Sequence, residues 1–215
     1  TKALSDKLYV VNNGLPDVNQ IQQSGNYVSL FKSEEIKIGT LGRFSFEKNF
    51  SLLIDAMKIV VKQFPRSRLV IYGDGPLRHE LQQQINQNDL AGHIQLPGYL
   101  YDTLPFFAEL DVFVNCSLTE GMPISLLEAM RQGCRIVATD IVANHCLLQS
   151  LPSKTYLSPS VAAQLAENII VALTESPEEV ALQKKCYQDT FKEKFSSQLM
   201  AENYTEIYRK IKTEI

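Results

Sequence analysis

The stretch VFVNCSLTEGMPISLLEAMRQGCRIVAT, Val112 to Thr139, decides the fold. It opens on an apolar run, Val112 to Cys116, carries apolar residues at helical spacing from Ser125 to Arg131, and closes on a second run, Arg135 to Thr139. Two short β-branched runs with one helical pattern between them read as a strand, a crossover helix and a parallel strand. The same alternation extends towards the amino end. Ile36 to Gly42 reads as a strand ending in a glycine turn, and Phe50 to Phe64 as a helix stopped by Pro65. Arg68 to Tyr72 and Ile94 to Leu96 are further strands, with helices over Leu77 to Asn86 and Thr103 to Leu110. The class is α/β: a Rossmann-like parallel sheet with helices on both faces. Ligands of such sheets bind beyond the carboxyl ends of the strands.

The flanks differ. Leu8 to Val11 is expected to be a strand and Asn12-Asn13-Gly14 a turn, while Asn19 to Lys32 is polar and reads as a connecting segment. Ser160 to Ile215 is helical with a break at Pro177, and its last part places Phe195, Met200, Tyr204, Tyr208 and Ile211 near every fourth position as packing residues. The expected division is residues 1–35 as a crossing segment, 36–195 as the sheet domain and 196–215 as a terminal helix.

Composition limits the function. The 215 residues carry 21 Lys and Arg against 24 Asp and Glu, a net charge of -3, so no global basic field attracts nucleic acid or anionic lipid. Any phosphate site must be local. Four cysteines, Cys116, Cys134, Cys146 and Cys186, form no C-x-x-C pair, and with three histidines they spell no metal cluster, which fits reduced thiols in the cytosol. No apolar run is long enough to span a bilayer, and Thr1-Lys2-Ala3-Leu4-Ser5 is not a signal peptide. The absent initiator methionine points to a piece of something longer.

Three loops offer chemistry. In Gly42-Arg43-Phe44-Ser45-Phe46-Glu47-Lys48, two cations follow a strand end and could pinch a diphosphate, Arg43 as a planar fork and Lys48 as a point charge; taken alone they are ordinary surface charges. Gly73-Asp74-Gly75-Pro76 lacks the third glycine and the spaced acid of a dinucleotide fingerprint, so it reads as a tight turn whose glycines leave room for a ligand. The third loop holds Glu120, then Gly121, Met122, Pro123 and Ile124 at a helix start, then Glu128 more than a turn into the helix. Free amides there favour an anion, and the flanking carboxylates can accept from sugar hydroxyls. Taken alone, Glu120 is a helix cap and Glu128 an exposed partner of Arg131.

The order of these motifs resembles the C-terminal domain of the retaining glycosyltransferases of the glycosyl transferases group 1 family, one half of a GT-B fold, over roughly residues 36 to 148. The resemblance implies that Arg43 and Lys48 hold the donor diphosphate and that Glu128 binds the ribose hydroxyls. It implies that Glu120 and the amides of Gly121 to Ile124 contact the donor sugar, with Arg43, Lys48 and Glu120 catalytic. Tyr99 and Leu100, in the turn Pro97-Gly98-Tyr99-Leu100, are the implied wall for the base. Val10 to Leu15 resembles the family's crossing between domains, with Asn12 where a proline is usual, and the resemblance implies that the terminal helix 196–215 packs on the missing N-terminal domain, leaving Tyr204 and Tyr208 without that partner here. The implied substrate is a UDP- or GDP-sugar, the implied acceptor a glycan or lipid-linked molecule bound by a missing N-terminal domain in polysaccharide biosynthesis. No cofactor or metal is required, nucleic acid is no partner, and the expected place is the cytoplasm, peripheral to the inner membrane face. The fragment alone should bind donor and transfer nothing.

One departure stands out. Where the family commonly has two glycines and a glutamate, this chain reads Asp140-Ile141-Val142-Ala143-Asn144-His145-Cys146-Leu147, expected to be a loop with Cys146 buried beside a capping histidine. His79 and His93 show no partner in the sequence. The alternatives to a transferase are a nucleotide-sugar 2-epimerase or a glycan phosphorylase of the same fold, for which no motif is seen, and a non-catalytic nucleotide-binding module.

Overall fold

The computed structural model describes residues 8–21, 25, 27–148, 151 and 156–213. Six strands form one sheet: β1 Ile36–Leu41, β2 Ser67–Tyr72, β3 Ile94–Gly98, β4 Val112–Asn115, β5 Arg135–Thr139 and β6 Tyr156–Ser158. Every pairing is parallel, and the order is β3-β2-β1-β4-β5-β6. This is the doubly wound order in which the chain reverses direction between β1 and β4. The helices are α1 Phe50–Gln63, α2 Arg78–Gln87, α3 Leu104–Glu109, α4 Ile124–Gln132, α5 Val142–Leu148, α6 Ala162–Leu173, α7 Pro177–Lys194 and α8 Ser197–Thr213.

Side-chain alternation in the strands divides the core into two layers. Ile38, Leu69, Ile71, Val112, Val114 and Val137 face α1 and α6, where Leu53, Ile54, Met57, Leu165 and Ile169 are fully buried. Val70, Tyr72, Phe113, Ile136 and Ala138 face the other way, onto Phe106 and Phe107 of α3, Leu127 and Met130 of α4, and Tyr187 and Phe191 of α7. At about 1.5–3 kcal/mol for each fully buried large apolar side chain, these layers drive the fold.

Several sequence expectations are corrected. Leu8 to Val11 is no strand, and Asn12 to Gly14 makes no turn. This segment pairs with neither edge of the sheet, β3 or β6, and is left exposed at Leu8 and Val10. Its sole strand-like contact among the described residues is a parallel bridge from Leu15 to Ser196. Residues 142–148 form helix α5 instead of a loop, and the three-residue β6 was not foreseen. Pro177 opens a helix, preceded by Ser176 in a capping box with Glu179, and the chain breaks a second time before α8. Tyr204 and Tyr208 are substantially exposed and stack on each other, with ring centroids 6.3 Å apart.

Candidate functional site

The loops after β1 and β4 meet where the strand order reverses. Phe46–Lys48 forms a short 3-10 turn, and Asn49, with φ 52°, turns the chain left-handedly into α1. This loop is fastened to the one after β4: the Leu118 amide donates to the Glu47 carbonyl at 2.8 Å and the Cys116 thiol to the Lys48 carbonyl at 3.2 Å. Burial pushes the Cys116 thiol up to about 12, so it stays protonated and able to donate. Above these contacts Lys48 Nζ donates to Glu120 Oε1 at 2.5 Å, and the Ser117 hydroxyl donates to the same oxygen at 2.7 Å. Glu120 is therefore a fixed ion-pair partner and not a helix cap.

Beneath Ser117 lies a buried polar network. Thr139 Oγ1 donates to the Ser117 carbonyl at 2.6 Å, and Asn144 Nδ2 donates to Asn115 Oδ1 at 3.1 Å and the Thr139 carbonyl at 2.9 Å. Asn144 sits in the unforeseen α5, which makes that helix a support for the Glu120 loop. A buried amide with satisfied donors fixes a loop better than apolar packing, because any shift leaves polar groups unpaired.

Two cavities flank the Lys48–Glu120 pair. The first, about 530 Å³, lies beyond β1, β2 and β3 and is lined by Gly42, Arg43, Gly73, Asp74, Tyr99, Leu100 and Thr103 among others. Arg43 is exposed there. The glycines of the second loop line this cavity and also make room for the first loop. A Cβ on Gly73 would come within 1.9 Å of the Gly42 carbonyl oxygen, and one on Gly75 within 2.5 Å of that of Phe44. The second cavity, about 600 Å³, is lined by Glu120, Gly121, Met122, residues 10–13 and, from α5, Val142, Ala143 and Cys146. Cys146 is exposed, contrary to the buried reading. His145 pairs with Asp140 through Nδ1 at 2.8 Å.

Helix α4 begins at Ile124 after Pro123, with no side-chain cap from that residue, directly after the Glu120 to Met122 loop. Glu128 is not on an exposed face. It lies behind the wall of the first cavity, accepting from the Thr103 hydroxyl at 2.6 Å, and burial raises its carboxyl above the ordinary range against the opposing Thr103 bond and Arg131 charge. Arg131, whose side chain is 5% exposed, stands 4.0 Å from Glu128. Sequence reasoning missed Ser117, Thr103, Asn144 and the burial of Arg131; helical spacing of Glu128 and Arg131 announces their pairing but not the wall that covers it. His93, read as partnerless, sits 2.9 Å from Arg68 at the opposite end of the sheet.

The point of strand reversal thus carries two cavities, the Lys48–Glu120 ion pair and the start of α4, at the carboxyl ends of the strands where ligands of open α/β sheets bind. The sequence profile of the glycosyl transferases group 1 family matches residues 26–189, and the chain belongs to that family. The uncharacterised glycosyltransferase MJ1059 of Methanocaldococcus jannaschii is 31% identical over 145 residues, 65% of this chain and 35% of that protein. A UDP-Gal:alpha-D-GlcNAc-diphosphoundecaprenol alpha-1,3-galactosyltransferase of Escherichia coli is 29% identical over 153 residues, 67% of this chain and 39% of that one. The chain thus spans well under half the length of these relatives. Among solved structures, a Staphylococcus aureus TarM complex containing UDP aligns with TM-score 0.79 at 19% identity, covering 96% of this chain and 41% of the other. Anabaena HepE with UDP and glucose aligns at 0.72 and 22%, covering 83% and 48%. These likenesses carry the fold: the Rossmann-like half of a GT-B enzyme.

Proposed function

We propose that this chain is the donor-binding part of a retaining glycosyltransferase, taking a UDP- or GDP-sugar and serving transfer to a glycan or lipid-linked acceptor in polysaccharide assembly. The observation that carries the reading is the Lys48–Glu120 pair at the point of strand reversal, with Arg43 on the cavity to one side and the uncapped start of α4 on the other. UDP in the TarM and HepE complexes favours uridine as the base.

In this reading the base lies against Tyr99 and Leu100, and the ribose reaches Glu128 past Thr103. The diphosphate lies between Arg43, Lys48 and the amides of Gly121, Met122 and Ile124, with Pro123 setting the helix entry, and the sugar sits beside Glu120. The bond from the anomeric carbon to the diphosphate oxygen breaks while the acceptor oxygen bonds to the same face of that carbon. The leaving phosphate accepts the acceptor's proton, so no protein base is required. Arg43, Lys48 and the helix amides oppose the charge building on the diphosphate, a preorganised role that asks for no metal or cofactor. Residues 36–195 hold the donor, while the acceptor and any membrane contact belong to residues outside this chain. Among the described residues no helix is long and apolar enough to cross a membrane. Alone, the chain binds donor and transfers nothing.

Calorimetric titration with UDP, GDP and ADP at low and moderate salt tests this. Selective, salt-sensitive binding of UDP or GDP supports it. Measured sugar transfer by this chain alone, or equal and weak binding of all three, overturns it.

A further inference from the structure

Arg131 is unusually placed for a guanidinium. Its side chain is 5% exposed, and its Nε is buried with no partner. Nη1 donates to the Pro16 carbonyl at 3.0 Å, 115 residues away in the chain, and Nη2 faces Glu128 Oε1 at 4.0 Å. A buried cation with so few bonds is costly unless a charge answers it. The charged groups around it are Glu128 from its own helix, Asp17 from the 3-10 turn that follows Pro16, and Lys192 of α7, which lines the same small cavity. Glu128 in turn faces Thr103, the residue just before α3 and part of the first cavity's wall.

The segment that Arg131 grips is held at a second point. The Leu15 amide donates to the Phe195 carbonyl at 2.9 Å, and the Ser197 amide to the Leu15 carbonyl at 2.9 Å. A Cβ on Gly14 would fall 2.3 Å from the Ser196 carbonyl oxygen, so the contact is close-packed. Residues 14–17 are therefore clamped between the α7–α8 junction and one guanidinium, and that guanidinium also addresses the carboxylate behind the cavity wall.

We propose that Arg131 is a positioning residue: it orients the Glu128 carboxylate towards Thr103 and the first cavity by charge, while tethering the chain at Pro16. Its use in donor binding rests on the function proposed above. Arginine suits the role because its fork reaches two acceptors at once, which a lysine ammonium on a single stem does not. Arg131 thus joins the nucleoside end of the site to the segment entering the domain, and a change at either end is felt at the other.

The test uses the 215-residue chain with carboxyl-13C glutamate, following Glu128 by NMR as pH is lowered, in wild type, Arg131→Met and Arg131→Lys. Losing the facing charge moves the Glu128 titration to higher pH in Arg131→Met, whereas Arg131→Lys keeps it near the wild-type position and speeds hydrogen exchange at the Leu15 amide. UDP affinity falls about 10-fold in Arg131→Met while inorganic diphosphate affinity is unchanged. A merely structural arginine would lower stability in both variants and leave the titration where it was, and that result overturns the proposal. If Arg131→Met does not fold, Arg131→Lys decides: wild-type exchange at Leu15 overturns the tether. If wild type binds no nucleoside diphosphate, the donor reading fails while the carboxyl titration still judges Arg131.

Discussion

Lys48 and Glu120, 72 residues apart in the chain, are joined by a 2.5 Å ion pair across the mouth between β1 and β4. Both side chains are mostly covered, and the Ser117 hydroxyl shares the same carboxylate oxygen. The cation proposed to meet the donor diphosphate is thus already engaged by an anion, and a diphosphate must compete for it.

Glu120→Gln removes the competitor. Affinity for inorganic diphosphate is expected to rise about 2- to 5-fold, as loss of a partly exposed ion pair is worth on the order of 1 kcal/mol. Lys48→Ala is expected to lower it. Calorimetry on both variants checks the opposite signs; a fall in both would mean that Glu120 orients Lys48 instead of restraining it.

Arg43→Ala is expected to weaken UDP binding roughly 10- to 150-fold, the equivalent of one charge-assisted hydrogen bond of about 1.5–3 kcal/mol, and to flatten the salt dependence. Unchanged affinity removes Arg43 from the site.

Glu128 carries a pH signature. Burial raises its carboxyl in the folded chain above 4.5, so the folded state holds the proton more tightly than the unfolded one. The stability this gives is present below 4.5 and is lost as pH rises through the raised value. Replacing it by glutamine removes the loss: the melting temperature of Glu128→Gln relative to wild type is expected to climb between about pH 4 and pH 7. A pH-independent difference contradicts the burial assignment. The same variant should weaken UDP and leave inorganic diphosphate alone.

The cysteines are expected to divide by environment. Burial pushes Cys116 and Cys134 up to about 12, so both stay protonated and unreactive. Cys146 is exposed on the wall of the second cavity, and a maleimide is expected to label it first, with a nucleotide sugar slowing the reaction. Peptide mapping after brief labelling identifies the site; modification of Cys116 in folded protein would count against the packing.

Gly73→Ala is expected to cost about 2–4 kcal/mol, since the added carbon meets the Gly42 backbone oxygen at 1.9 Å and φ is 137°. Denaturant unfolding measures it.

Strands β1, β2, β4 and β5 were legible because their runs are buried on both faces, which suits a sheet covered twice, whereas the three-residue β6 is too short to show a pattern. Helices α1 to α4 could be placed from periodicity and the last stretch read as helical with one break, but α5 was hidden: Val142-Ala143-Asn144-His145-Cys146-Leu147-Leu148 is short and mixed, and Asn144 finds its buried partners in other elements. Leu8 to Val11 shows the reverse, a strand-like composition that joins neither edge of the sheet. Within the site, the motif loops were readable singly, yet the Lys48–Glu120 pair, the wall at Thr103 and the grip of Arg131 on Pro16 are contacts between distant residues. No spacing rule within one segment reports them.

The lacing of the first two loops has a wider meaning. Gly42 and Phe44 amides donate to the Tyr72 and Asp74 carbonyls at 3.0 and 2.9 Å, the Leu77 amide donates to Phe44, and Gly73 donates to Gly98 at 2.7 Å. All of these bonds are main chain to main chain, so the frame holding Arg43 does not depend on which side chains it carries. The rim works as a mounting plate with an exchangeable fitting: position 43, exposed at its edge, can be rewritten for a different ligand while the plate stays where it is, whereas the glycines, the buried Phe44 and Asp74, whose carboxylate accepts from the Gly75 amide at 2.7 Å, belong to the plate itself.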